Sequence, residues 1–278
     1  MKNHTSFRIG GAAKLFIEPK NEKELSDIIK ICREGKTEYI IIGNGSNLLV
    51  SDDGLSKAVI KLSGDFEKIE LLDETTVKAG AGASLAALCR FALENSLSGL
   101  EFAFGIPGSV GGAAFMNAGA YGGEMKDVVL SCSHIGRKGN TGVLSKEQLG
   151  FAYRKSAYGE NGFIVTSVTF KLQKGEKSAI EEKMNDLLGR RKDKQPLSFP
   201  SAGSVFRRPK GYFAGALIEQ SGLKGKTIGG AQVSEKHAGF IINIGSATCK
   251  DVKDLIEYCQ KTVYDNFGVK LETEIKMI

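Results

Sequence analysis

The chain has 278 residues, of which 35 are glycine and none is tryptophan; that glycine share is nearly twice the ordinary value of about 7%. With 41% hydrophobic and 25% charged residues, the composition excludes a disordered or fibrous chain and leaves room for about two domains with buried cores. The net charge of +6 is local: Arg190 to Lys210 holds seven cationic residues against Asp193 alone, and the rest of the chain balances. A protein that coats nucleic acid is therefore excluded, and one anion-seeking segment or a solvated helix end remains.

The first segment reads as a strand at Lys14 to Glu18, then a helix from Glu22 to about Arg33. Asn21 stands as its cap with Glu24 three residues on, and Leu25, Ile28, Ile29 and Cys32 share one face. A short apolar strand, Tyr39 to Ile42, runs into Gly43-Asn44-Gly45-Ser46-Asn47, and Leu48 to Val50 resumes extended structure. Strands follow near Ala58 to Leu62, Phe66 to Leu72 and Thr75 to Ala79. Ser84 then caps a helix with Leu85, Leu88, Cys89 and Ala92 inside.

From Phe102 to Gly123 no residue is charged, a run long enough to span a bilayer. Its seven glycines, Pro107 and Asn117 make a buried, backbone-rich loop the better reading. Strands around Val128 to Ile135 and Phe163 to Leu172 flank a turn at Gly139-Asn140, and a helix from about Ala179 to Lys192 precedes Pro196 and Pro200. The last region has elements at Ser204 to Arg207, Phe213 to Gln220 and Gly239 to Ile244, then a capped helix from about Asp251 to Phe267 ending at Gly268. In the closing strand Val269, Leu271, Thr273 and Ile275 alternate with charged residues.

Five cysteines without CxxC spacing and three scattered histidines give neither a disulfide framework nor a metal site. No apolar leader follows Met1, so a cytoplasmic protein without membrane insertion is expected.

Among the motifs, Gly43 to Asn47 is followed by a strand and has Leu48 at the third-glycine position, which argues against a Rossmann site. The turn is either a nest of backbone N–H groups for an anion or a plain tight turn. Gly225-Lys226-Thr227 lacks the P-loop glycine, since Gln220 stands there. The run Gly105 to Gly122 is more specific, because glycine ordered at this density loses entropy that a closely approached ligand would offset, with Asn117 free to donate or accept. A glycine-lined contact between elements is the alternative.

Taken together, Asn3-His4-Thr5-Ser6-Phe7-Arg8, the Gly43 to Leu49 loop, Ile106-Pro107-Gly108-Ser109-Val110-Gly111-Gly112, Asn117-Ala118-Gly119-Ala120-Tyr121-Gly122, Tyr153-Arg154-Lys155-Ser156, Ala202-Gly203-Ser204-Val205-Phe206, and Gly229 to Ser234 with His237-Ala238-Gly239-Phe240 resemble the UDP-N-acetylenolpyruvoylglucosamine reductase (MurB) family, in family order over essentially the whole chain. The resemblance implies an α+β architecture with a PCMH-type FAD-binding fold in two subdomains, 1–62 and 63–192, followed by a smaller α+β substrate-binding domain, 193–278. It implies an NADPH-dependent enzyme of peptidoglycan precursor synthesis, a monomer, acting on a UDP-linked enolpyruvyl amino sugar. NADPH reduces the flavin and leaves, and the enolpyruvyl ether then enters the same cleft. Family members usually carry a further segment before the Asn-His-Thr-Ser-Phe motif, so a truncation or a different start is an expectation here.

Carried over by motif, the catalytic residues are Arg154, Ser204 and Glu274, with Glu272 a rival on the same strand face because the family's proline is absent here. The implied cofactor-binding residues are Gly43, Asn44, Gly45, Ser46, Asn47, Pro107, Gly108, Ser109, Gly111, Gly112, Asn117, Gly119 and Ala120. Tyr153, Arg207, Arg208 and Lys224 are implied for substrate. Chemistry suits these types: a guanidinium matches a carboxylate that gathers negative charge, and cations near Ser204 would ease loss of its proton. A flavin oxidase of a small alcohol or sugar would share the glycine loops but not the third-region motifs. A nucleotide-binding module would leave Arg154, Ser204 and Glu274 without a reason.

Overall fold

The helix signals are realised closely. Asn21 accepts from the Glu24 amide at 3.0 Å and opens the helix Glu22–Glu34, with Leu25, Ile29 and Cys32 buried. Ser84 caps Leu85–Glu94 in the same way, and Thr248 with Asp251 forms a reciprocal capping box at the start of Cys249–Phe267. Gly268 ends that helix at φ 67, a left-handed conformation that glycine adopts without strain. Burial of Val252, Leu255, Ile256 and Val263 along its inner face contributes about 1.5–3 kcal/mol per side chain.

A computed structural model describes all 278 residues and divides them into two compact units. The larger comprises Leu15–Asn44 and Lys57–Arg190; the smaller comprises Met1–Lys14, Gly45–Ser56 and Arg191–Ile278. In the sequence, the larger unit ends at Arg190 and the smaller resumes at Arg191. Residues 1–62, in contrast, are shared between the units instead of standing together. Long-range pairing within the smaller unit explains this: Leu48–Leu49 lies parallel to Lys276–Met277, Ser51 N donates to Ile278 O at 2.8 Å, and Phe7, Ile9 and Leu49 enter the same core as Val205 and Leu255.

In the larger unit a three-stranded sheet has the order Ala13–Ile17, Leu55–Lys61, Tyr39–Ile42, the last two parallel. A five-stranded antiparallel sheet runs Thr141–Ser145, Val129–Ile135, Ile164–Lys171, Thr76–Gly80, Ile69–Leu71. Five expectations need correction. The closing strand expected over 269–275 is reduced to Lys276–Met277, with Thr273 only in an isolated bridge to Phe206, and the element expected at Ser204 to Arg207 is the strand Ser201–Ser204. The strand foreseen at Phe66 to Leu72 begins instead with a 3-10 turn, Gly64–Glu67, because Phe66 is buried and its carbonyl accepts the amides of Gly82 and Ala83. The turn at Gly139 joins Val129–Ile135 to Thr141–Ser145, a strand whose weakly apolar sequence gave no signal. The uncharged run 102–123 is no simple loop: Ser109 caps a seven-residue helix, Val110–Met116.

The smaller unit holds a four-stranded antiparallel sheet, ordered Ser201–Ser204, Phe240–Asn243, Ala231–Val233, Thr227–Ile228, with helices Ala214–Gln220 and Cys249–Phe267. All five cysteines are free and buried. No helix is long and apolar enough to cross a membrane.

Candidate active site

The Gly43 to Asn47 loop follows the strand Tyr39–Ile42. A methyl group at Gly43 would collide with Ser109 Oγ, so this glycine lets two glycine-rich loops touch. Gly45 has φ 62, and a methyl there would strike the His4 carbonyl; Ser6 donates its amide to Gly45 O at 3.2 Å. The amides of Gly45, Ser46 and Asn47 donate to no protein acceptor. Successive unpaired N–H groups beside a left-handed residue are the geometry of an anion nest.

At the second loop the outcome is different. Val110 N donates to Ala83 O at 2.8 Å, Gly111 N to Ala81 O at 2.9 Å, Gly112 N to Ser109 Oγ at 3.3 Å, and Gly108 N to Ile106 O at 2.9 Å. The amides that open the short helix are thus consumed within the protein. Gly111 presses on Ala81, and Gly119 on Gly123 and Glu124, so part of the glycine excess serves backbone packing. Pro107 and Gly112 remain exposed, and Ala120 pairs with Gly123 in a tight hairpin.

Asn117, expected to be free for a ligand, is fully buried and engaged. It ends the Val110–Met116 helix in the left-handed region (φ 42, ψ 55); its Nδ2 donates to Glu124 Oε2 at 2.9 Å and to Ala152 O at 3.0 Å, and its Oδ1 accepts from Lys126 N at 2.9 Å. Ala152 heads the turn that carries Tyr153 and Arg154. Arg154 has φ 54, donates from Nη2 to Gly119 O at 3.2 Å, and has its guanidinium carbon 5.1 Å from the Tyr153 ring centre. Buried Ser156 ties the far side of the turn to Phe115 O at 2.7 Å.

Ser204 and Glu274 come together in the smaller unit. Ser204 is exposed at the end of its strand and follows Gly203, whose φ of 78 favours glycine. Phe206 bridges Thr273, and that bridge is bracketed by Glu274 N donating to Val205 O at 2.7 Å and Arg207 N donating to Glu272 O at 2.8 Å. Glu274 is therefore fixed against the neighbour of Ser204. Asn47 grips the same C-terminal segment, its Nδ2 on Glu274 O at 3.3 Å and its carbonyl accepting Lys276 N at 2.9 Å. Glu272 is instead 76% exposed and pairs with Arg207 at 3.8 Å.

The basic window does not form one cluster. Arg190 pairs with Asp186, Arg191 is buried where a solvated helix end was expected, and Arg208 lies 3.9 Å over the Phe213 ring. Arg207 Nε is buried without a hydrogen-bond partner, an unmet donor suited to an anionic ligand. Lys224 pairs with Glu219 at 2.6 Å. Near it, His237 accepts from Gly239 N at 3.1 Å through Nδ1, and burial followed by the Lys224 charge holds its pKa below the ordinary histidine value. The sequence offered only its place in the Ser234 to Phe240 motif as a signal for this residue.

Comparison with known proteins agrees with both units. Residues 195–278 match the family described as "UDP-N-acetylenolpyruvoylglucosamine reductase, C-terminal domain", and residues 13–145 match "FAD binding domain". The UDP-N-acetylenolpyruvoylglucosamine reductase of Clostridium perfringens is 51% identical over 280 residues, covering 100% of this chain and 91% of the relative. That of Clostridioides difficile is 50% identical over 278 residues with the same coverage. The crystal structure of UDP-N-acetylenolpyruvylglucosamine reductase (MurB) from Thermus caldophilus superposes with a TM-score of 0.87 at 38% identity, over 99% of this chain and 96% of that one.

Proposed function

The chain belongs to the UDP-N-acetylenolpyruvoylglucosamine reductase (MurB) family, and from that premise we propose how its residues divide the reaction. It is a flavin-dependent oxidoreductase with a PCMH-type FAD-binding fold and a family-specific C-terminal domain. It uses FAD with NADPH as reductant in peptidoglycan precursor synthesis, reducing UDP-N-acetylglucosamine enolpyruvate to UDP-N-acetylmuramate.

When bound, FAD would supply the hydride chemistry that links NADPH to the enolpyruvyl ether. The unpaired amides of Gly45, Ser46 and Asn47 suit its pyrophosphate. Asn44, Gly43, Gly108, Ser109, Gly111, Gly119 and Ala120 shape the two loops.

Arg154 takes the substrate carboxylate and stabilises the negative charge that hydride addition pushes onto it. Ser204 gives a proton to the carbon alpha to that carboxylate. Glu274 holds or protonates the enolate oxygen. The reading of Glu274 over Glu272 is carried by one observation, the 2.7 Å bond from Glu274 N to Val205 O beside the exposed Ser204. Arg207, Arg208, Lys224 and Tyr153 bind the UDP moiety and sugar, Arg207 through its unmet Nε. The division of labour assigns FAD chiefly to residues before 193 and the nucleotide sugar to residues 193–278. Five free thiols suit a reducing compartment, the cytoplasm, and the enzyme works as a monomer.

Anaerobic spectroscopy tests the reading. Purified protein should show flavin absorbance, bleach with NADPH, and regain colour with the UDP-enolpyruvyl sugar but not with simple carbonyl compounds. A protein that neither carries nor takes up FAD would overturn it.

A further inference from the structure

We propose that Asn117 is a positioning residue for Arg154 and makes no side-chain contact with the flavin. The inference rests on the reading of Arg154 as the cation at the substrate carboxylate.

An asparagine amide has two N–H donors and one carbonyl oxygen. Both donors of Asn117 are spent, on Glu124 Oε2 and Ala152 O, and its oxygen accepts the Lys126 amide, all at 2.9–3.0 Å in a fully buried site. No donor remains for a ligand. Backbone conformation alone does not demand asparagine either, because glycine adopts the left-handed region more readily.

What the amide holds is the entrance of the Arg154 turn. Ala152 and Lys155 exchange backbone bonds at 3.0 and 3.1 Å, so Tyr153 and Arg154 occupy the two central positions. Arg154, at φ 54, sits where a turn of this kind ordinarily takes glycine or asparagine. Such a conformation persists only when its surroundings hold it. Three tethers do so: Asn117 Nδ2 on Ala152 O, Arg154 Nη2 on Gly119 O, and Ser156 Oγ on Phe115 O. Asn117 and Phe115 both lie at the C-terminal end of the Val110–Met116 helix, so that helix end serves as the base of the arginine turn. Glu124, the other partner of Asn117, is kept ionised by hydrogen bonds from Lys126 and Asn117 and by the Arg154 charge.

Displacement of a catalytic group by about 1 Å costs on the order of 100-fold in rate, which sets the expected effect. Asn117→Gly keeps the left-handed backbone and deletes only the amide; Asn117→Asp keeps the acceptor and loses the donors. In the FAD-loaded enzyme, both should bleach with NADPH within about threefold of wild type. Both should then be reoxidised by the UDP-enolpyruvyl sugar about 10- to 100-fold more slowly, with kcat falling more than KM rises. In an Arg154→Ala background, Asn117→Gly should add nothing. Loss of FAD, equal slowing of both half-reactions, an unchanged reoxidation rate, or a full additive loss on top of Arg154→Ala would each overturn the proposal. If Arg154→Ala alone leaves reoxidation intact, the reading of Arg154 falls first; if Arg154→Ala slows it and neither Asn117 variant does, only the positioning role falls. Should Asn117→Gly not fold, Asn117→Asp and Ser156→Ala carry the same comparison from the two ends of the turn.

Discussion

The amide of Glu274 donates to the carbonyl of Val205 at 2.7 Å, and this one bond brings the end of the chain to the neighbour of Ser204. Glu272 and Glu274 are equivalent by alternation, but Glu274 is bonded to Val205, the neighbour of Ser204, whereas the Glu272 carbonyl accepts from Arg207, three residues further on. Glu274→Gln should slow reoxidation of the reduced enzyme by about 100-fold or more, the scale of a lost acid catalyst. Glu272→Gln should change it less than about threefold, because an exposed ion pair contributes little. Single-turnover kinetics of the two variants decide the matter, and the reverse ranking would reject Glu274.

Arg207 offers a different signature. Its buried Nε has no partner in the protein, and a charge-assisted hydrogen bond to a ligand contributes about 1.5–3 kcal/mol. Arg207→Ala should therefore raise KM for the nucleotide sugar by about 10- to 100-fold while flavin reduction by NADPH stays near wild type. Steady-state titration of both substrates measures this.

Glycine substitutions separate packing from cofactor contact. Gly43→Ala collides with Ser109 and should destabilise the apoprotein by about 1–3 kcal/mol, the cost of overpacking. At Gly112 the nearest obstacle is Ser109 Oγ at 3.3 Å, so alanine should leave apoprotein stability unchanged or slightly improved, as helix propensity favours. If FAD approaches that exposed glycine, Gly112→Ala should still weaken FAD binding. Melting curves of the apoprotein and FAD titrations of both variants check the contrast.

Acid titrates the base of the arginine turn. The Glu124 pKa is lowered in the fold, chiefly by its hydrogen bond to Lys126; burial opposes this next, and the Asn117 hydrogen bond and the Lys126 and Arg154 charges lower it further. A depressed carboxylate stabilises the folded state fully above its unfolded pKa, about 4.3, and the contribution disappears as pH falls through the folded value. The melting-temperature gap between wild type and Glu124→Gln should thus be constant near neutrality and shrink below about pH 4.

Local signals in the sequence carried much of the architecture. Asn21, Ser84 and Gly268 mark helix ends by short-range hydrogen bonding or backbone freedom, and each does so in the structure; the last helix begins two residues before the expected Asp251, at Cys249 behind the Thr248 cap. Pairings across long separations left no such trace. Leu48–Leu49 beside Lys276–Met277 is set by tertiary packing, and it moves residues 45–56 into the smaller unit. At the site, motifs pointed to Arg154, Ser204 and Glu274, whereas the backbone pairing by which Glu274 differs from Glu272 is visible only in the structure. The side-chain amides of Asn117 and Asn47 reach Ala152 and Glu274, pairings of which a polar residue in a glycine run carries no sign.

Ser204 tests the central claim, that the C-terminal domain's residues act on the enolpyruvyl substrate and not on hydride transfer from NADPH. Anaerobic stopped-flow absorbance of Ser204→Ala resolves the two half-reactions in one protein. Bleaching by NADPH should stay within about threefold of wild type, and reoxidation by the UDP-enolpyruvyl sugar should slow by about 100- to 10,000-fold, the range for a lost general acid. Equal slowing of both half-reactions, or an unchanged reoxidation rate, would contradict the account.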